Sequence, residues 1–112
     1  MFPSKYRLSK KTDFDRVFKA GRRGFDRYFS LRYLPNNLDH SRITVVVANK
    51  VSKKAVERNR LKRQVRAMIE ERLDQFKLSY DLIVNVMSHA LNQEYANLDS
   101  ALEVTFKKNR II

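Results

Sequence analysis

The sequence predicts an α/β domain: a small, mostly antiparallel sheet with about three helices, in the order α-β-β-α-β-α. Three observations carry that expectation. With 112 residues, 43% of them hydrophobic, the chain is long enough for one domain with one core. Apolar residues recur with a helical period in three stretches and with strand-like patterning in three others. No repeat, low-complexity tract or long linker interrupts residues 1–112, so a single domain is expected to hold all six elements.

Thr12-Asp13-Phe14-Asp15 reads as a helix start, with Thr12 as cap and two acids at the positive end of the helix dipole. Phe14, Val17 and Phe18 follow at i, i+3 and i+4, and Gly21 is the expected stop. Residues 28–34 alternate as a strand does, Phe29, Leu31 and Tyr33 on one face and Tyr28, Ser30 and Arg32 on the other. Pro35-Asn36-Asn37 breaks it. Residues 43–48 form a second strand, β-branched and nearly continuous in hydrophobicity, and are expected at the centre of the sheet.

Ser52 is the expected cap of a long helix over about 54–76, whose apolar stripe is Leu61, Val65, Met68, Ile69, Leu73 and Phe76. Residues 80–86 (YDLIVNV) read as a third strand, parallel to the second if the long helix is their crossover, a connection that is ordinarily right-handed. A last helix opens near Asn92, with Tyr95, Leu98, Leu102 and Phe106 on one stripe and Lys107, Lys108 and Arg110 at its negative end.

Composition narrows the function. Without cysteine there is no disulfide framework, thiolate nucleophile or Cys-based zinc site. No apolar run approaches the ~20 residues that span a bilayer, and MFPSKYRLSKK lacks a signal peptide's apolar stretch. A cytoplasmic chain with no membrane partner is expected. The formal charge is +12, from 24 Lys+Arg against 12 Asp+Glu. Residues 1–66 carry 19 of those bases against five acids, while residues 67–106 are net acidic. Such one-sided self-repulsion is relieved by a polyanionic partner. Eight of the twelve aromatics, from Phe2 to Tyr33, lie among the same basic residues, a mixture that can hold phosphates and stack bases. Several of these rings are expected simply to fill the core.

The densest run is residues 50–66, KVSKKAVERNRLKRQVR, with eight bases and one acid, Glu57. On a helix Arg58, Lys62 and Arg66 form an i, i+4, i+8 ladder beside the apolar stripe, while Arg60 and Arg63 point elsewhere on the exposed surface. Each like-charge i, i+4 pair costs a few tenths of a kcal/mol, and cations near a helix N-terminus are unfavourable as well. Phosphates turn both penalties into gains, and arginine grips a phosphate with two donors.

Arg58-Asn59-Arg60-Leu61-Lys62-Arg63, following a β-rich strand and a Lys-Lys turn, resembles the signature of the bacterial ribonuclease P protein subunit. Asp13-Phe14, Val17-Phe18-Lys19 and Gly21, then Tyr28-Phe29, Ser41-Arg42 and Asp81-Leu82-Ile83-Val84, match the family in order over nearly the whole chain. The resemblance implies a non-catalytic protein that assists a catalytic RNA, the ribonuclease P RNA, in removing the 5′ leader of precursor tRNA. It further implies Mg²⁺ held mainly by that RNA, no homo-oligomer, and a left-handed crossover around the long helix.

Carried over residue by residue, the resemblance assigns Arg58, Asn59, Arg60, Lys62, Arg63 and Arg66 to the catalytic RNA, with Lys53 and Lys54 of the preceding turn. It places Phe14 and Phe18, with Lys50 nearby, in a cleft for the single-stranded leader, and adds Arg16, Tyr28 and Arg32 where strand register brings them. The chain departs from the family pattern at Thr44, at Asn49 and at Asn85-Val86-Met87-Ser88, where bases are usual in the last two stretches.

No catalytic set is expected in the chain itself. His40 and His89 are far apart and read as surface residues, and Glu70 and Asp74 share a helix face with Arg66 four residues before Glu70. No metal site can be read from the sequence. The alternatives are a general RNA-binding or ribosome-associated module without a processing role, a DNA-binding domain using the basic helix, and a free-standing protein nuclease. Commitment of that helix's apolar stripe to packing argues against the DNA reading.

Overall fold

A computed structural model describes residues 4–112; Phe2 lies outside the described residues. Three helices and four strands follow one another as α1 Lys11–Ala20, β1 Arg22–Phe25, β2 Phe29–Pro35, β3 Arg42–Val47, α2 Ala55–Glu70, β4 Tyr80–Val86 and α3 Tyr95–Lys108. The sheet order is β1-β2-β4-β3. The β1/β2 and β2/β4 pairs are antiparallel, whereas β3 and β4 run parallel with α2 as their crossover.

Strand alternation gives the sheet two unlike faces. One carries Phe29, Leu31, Tyr33, Ile43, Val45, Val47, Leu82, Val84 and Val86, all buried beneath Leu61, Val65, Met68 and Ile69 of α2 and Leu98, Leu102 and Phe106 of α3. Each fully buried side chain of this kind stabilises the fold by about 1.5–3 kcal/mol. The opposite face is mixed. There Val17 of α1 packs with Leu8 and Ile83, and Phe14 and Leu34 sit at the margin of that small cluster. α1 covers only part of this face, and the rest stays open.

Several expectations are corrected. β1 (RRGF) was not expected, because it is short and charged and shows no apolar alternation; pairing with β2 creates it. β3 is an edge strand, not a central one. Its apolar run is explained instead by α2 on one side and residues 7–8 on the other, through the Arg7–Ile43 bridge and the Leu8 N–H to Ile43 O bond of 3.1 Å. The central strand with the nearly continuous apolar run is β4.

α2 ends at Glu70 rather than Phe76; a 3₁₀ turn, Leu73–Gln75, follows, and Leu73 and Phe76 still pack against the core. The buried Arg72 guanidinium donates to Met68 O at 2.9 Å, satisfying a carbonyl at the negative end of α2. Thr12 lies inside the first turn of α1, whose N-cap is Lys10. Ser52 precedes the N-cap, Lys54, by two residues: its hydroxyl accepts the Lys54 N–H at 3.1 Å and donates to Glu57 at 2.5 Å. In α3, Tyr95 is exposed and Thr105 is buried in its place, its hydroxyl donating to Asp26 Oδ2 at 2.9 Å.

Gly21 does stop α1, its N–H meeting Val17 O at 2.8 Å, but with an ordinary φ of −75°. Close approach is what demands glycine: a Cβ there would stand 2.3 Å from Val17 O. Gly21→Ala is therefore expected to destabilise the fold by about 1–3 kcal/mol, the usual cost of overpacking, read as a lower urea midpoint.

Candidate nucleic-acid interface

The apolar stripe of α2 fixes which way its bases point. With Leu61, Val65, Met68 and Ile69 buried, Asn59, Arg60 and Arg63 are exposed, and Arg58, Lys62 and Arg66 flank the buried stripe half-exposed. Lys53 and Lys54 stand exposed just before the helix. Among the described residues none of these bases is held in an ion pair; the paired ones are Arg16, Arg42, Arg72 and Lys107, with His40 beside Asp39. Glu57, the one acid of the run, is engaged by Ser52, and Arg58 donates to Ser52 O at 2.9 Å. The predicted set thus lies on the solvent side of α2, with no ion pair among its bases in the described residues.

The second predicted set divides. Phe18 is 46% exposed at the end of α1, with the Arg32 guanidinium 5.3 Å from its ring centroid and donating to Phe18 O at 3.0 Å. Arg32 is therefore both tied to α1 and available as a cation. Phe14 is half-buried in the cluster under α1. Lys50 stands in the exposed turn after β3. Tyr28 precedes β2, and its half-buried ring packs on the main core with the Arg27 guanidinium 5.7 Å away.

Arg16 has a different setting from a free cleft cation. It pairs with Asp81 and, at 3.6 Å, with Asp13. Asp81, wholly buried on β4, also accepts Arg42 Nε at 2.8 Å, Arg42 Nη2 at 2.7 Å and Asn36 Nδ2 at 2.9 Å. Arg42 further donates to Asp13 at 3.1 Å. One carboxylate thus docks α1 onto β3 and β4. Burial pushes the Asp81 carboxyl up, but the bonds from Arg42 and Asn36 and the charges of Arg42 and Arg16 outweigh it and hold it below the ordinary Asp value.

Register shows what lies on the open part of the sheet. The row Phe25–Ser30–Asn85–Val46 crosses all four strands, beside the row Arg23–Arg32–Ile83–Thr44. Sequence reasoning missed Arg23 and Phe25 as candidates because β1 was not expected, and read Asn85 only as a position that lacks the usual base.

His40 is more engaged than an ordinary surface residue: Nδ1 lies 2.6 Å from Asp39 Oδ1 and Nε2 3.1 Å from Lys5 O, so both ring nitrogens face acceptors. Among the described residues no group of three His, Asp or Glu side chains could hold a metal ion, and no helix is long and apolar enough to cross a membrane.

Comparisons with known proteins point to one family. The ribonuclease P family model matches residues 2–110. A ribonuclease P protein component from a Pseudanabaena species is 37% identical, covering 100% of this chain and 97% of the relative. One from a Synechocystis species is also 37% identical, covering 98% and 90%. A Staphylococcus aureus RNase P protein structure, a mutant with defective mRNA degradation activity, superposes with a TM-score of 0.90 at 28% identity, covering 97% of this chain and 92% of that one.

Proposed function

Because the chain belongs to the ribonuclease P protein family, we propose that its two cationic surfaces divide the work of one ribonucleoprotein: α2 holds the catalytic RNA, and the open sheet face beside α1 holds the 5′ leader of precursor tRNA. The chain is the non-catalytic protein component of that endoribonuclease and serves in tRNA processing. Membership in the family sets aside a general RNA-binding module. The working location is the cytoplasm. Mg²⁺, held mainly by the RNA, supplies the hydrolytic chemistry; the protein's own part is to neutralise phosphate and position RNA.

On α2, Arg58, Asn59, Arg60, Lys62, Arg63 and Arg66, with Lys53 and Lys54, are assigned to the catalytic RNA. The observation that carries this assignment is the run of bases on the solvent side of the helix, none of them held in an ion pair among the described residues, beside a fully committed apolar stripe. On the other surface Phe18 offers an exposed ring and Arg32 a guanidinium beside it, with Lys50 in the turn after β3. Phe14 supports this site from the cluster below, whereas Arg16 holds α1 in place through Asp81.

Leader binding is tested by comparing precursor with mature tRNA. Stacking one base on one aromatic ring is worth about 1–3 kcal/mol, so Phe18→Ala is expected to weaken holoenzyme binding of the precursor roughly fivefold or more. Mature tRNA, which has no leader, should bind as before. Equal weakening of both would remove Phe18 from the leader site. Phe14→Ala should show the same preference together with a loss of stability, because its ring also packs on Leu8, Val17 and Ile83.

A further inference from the structure

We propose that β1 carries a second stacking step for single-stranded RNA: Phe25 receives an unpaired base and Arg23 the adjoining phosphate, extending the leader track from α1 to the edge of the sheet. The inference rests on the leader reading given above and adds residues that it does not include.

The geometry begins with register. Arg23 lies directly opposite Arg32, and Phe25 opposite Ser30, so all four side chains share the face on which Phe18 stands. Like charges placed directly across an antiparallel pair destabilise it, and neither Arg23 nor Arg32 has an ion-pair partner among the described residues. A phosphate between them reverses the sign of that interaction.

Phe25 is 74% exposed, well beyond Phe18, and lies a diagonal step of about 7–8 Å from Arg32. Protection of an edge strand from aggregation accounts for an arginine there, but it does not account for a bare phenyl ring. The turn that follows Phe25 is held firmly. Asp26 Oδ1 accepts the N–H groups of Tyr28 at 2.8 Å and Phe29 at 2.9 Å, Asp26 N–H donates to Phe29 O at 2.9 Å, and Thr105 of α3 bonds Asp26 Oδ2. Backbone already fixed beside the ring needs no further ordering when a base stacks on it. Ser30 and Asn85, half-exposed between Phe25 and Val46, supply neutral polar groups along the same row.

The test uses holoenzyme assembled with its cognate catalytic RNA and precursor tRNAs whose leaders grow one nucleotide at a time. Affinity should rise in steps with leader length. Phe25→Ala should abolish one step, a loss of roughly fivefold or more, at a leader length different from the step lost with Phe18→Ala. Arg23→Ala should weaken the same precursors and lower the salt slope by about 0.7 for the lost phosphate contact. A stepped series that Phe25→Ala leaves unchanged would overturn this inference alone. So would equal weakening toward mature tRNA. A wild-type series with no dependence on leader length would overturn the leader reading beneath it.

Discussion

Asp81→Ala is expected to cost about 1.5–3 kcal/mol, the usual worth of hydrogen bonds to a charged group, since Arg42 and Arg16 keep Asp13 as a partner. Arg42 and Arg16 both direct guanidinium donors at this one carboxylate, and Arg42 also reaches Asp13. Urea unfolding should show a lower midpoint with little change in slope. Asp81→Asn, which keeps size and one acceptor oxygen, should lose less. A cost under about 1 kcal/mol for the alanine variant would mean that the network is not what docks α1.

The same carboxylate sets a pH dependence. Its folded-state pKa lies below the ordinary value, so the unfolded chain binds the proton more readily than the folded one. The stability that Asp81 contributes is fully present above about pH 4 and is lost as pH falls through the lowered folded value. Wild-type stability should therefore fall on acidification below about pH 4, and the Asp81→Asn variant should lack that part of the decline.

The other large effect belongs to α2. Replacing Arg60 and Arg63 together by Glu removes two exposed cations from the proposed RNA surface and adds two anions. A hydrogen bond to a charged group contributes about 1.5–3 kcal/mol, so each lost phosphate contact should weaken assembly with the catalytic RNA roughly ten- to hundredfold. Each should also lower the salt slope by about 0.7–0.9. Both side chains are exposed, and the apolar stripe is untouched, so the variant should melt within about 1 kcal/mol of wild type. Assembly at wild-type strength in moderate salt would remove this helix face from the interface.

Local signals made much of this molecule legible. Period and charge placed α2 and its two faces, and the alternation of residues 28–34 assigned Phe29, Leu31 and Tyr33 to the main core. What escaped depends on contacts between distant segments. Nothing within Arg22–Phe25 marks a strand; β2 makes it one, and only then do Arg23 and Phe25 share a face with Phe18. The β3 run looked central because sheet position follows from how α2 returns the chain to β4, not from hydrophobicity. Arg16 read as a cleft cation because sequence distance hides its partner, Asp81, which lies 65 residues away.

On the proposed reading the protein acts only with its RNA. The most direct measurement is cleavage of a 5′-extended precursor tRNA at low Mg²⁺ by the protein alone, by the cognate catalytic RNA alone and by the two together. Leader removal is expected only in the mixture, with loss of that activity when Arg60 and Arg63 are reversed. Cleavage by the protein without RNA would contradict it.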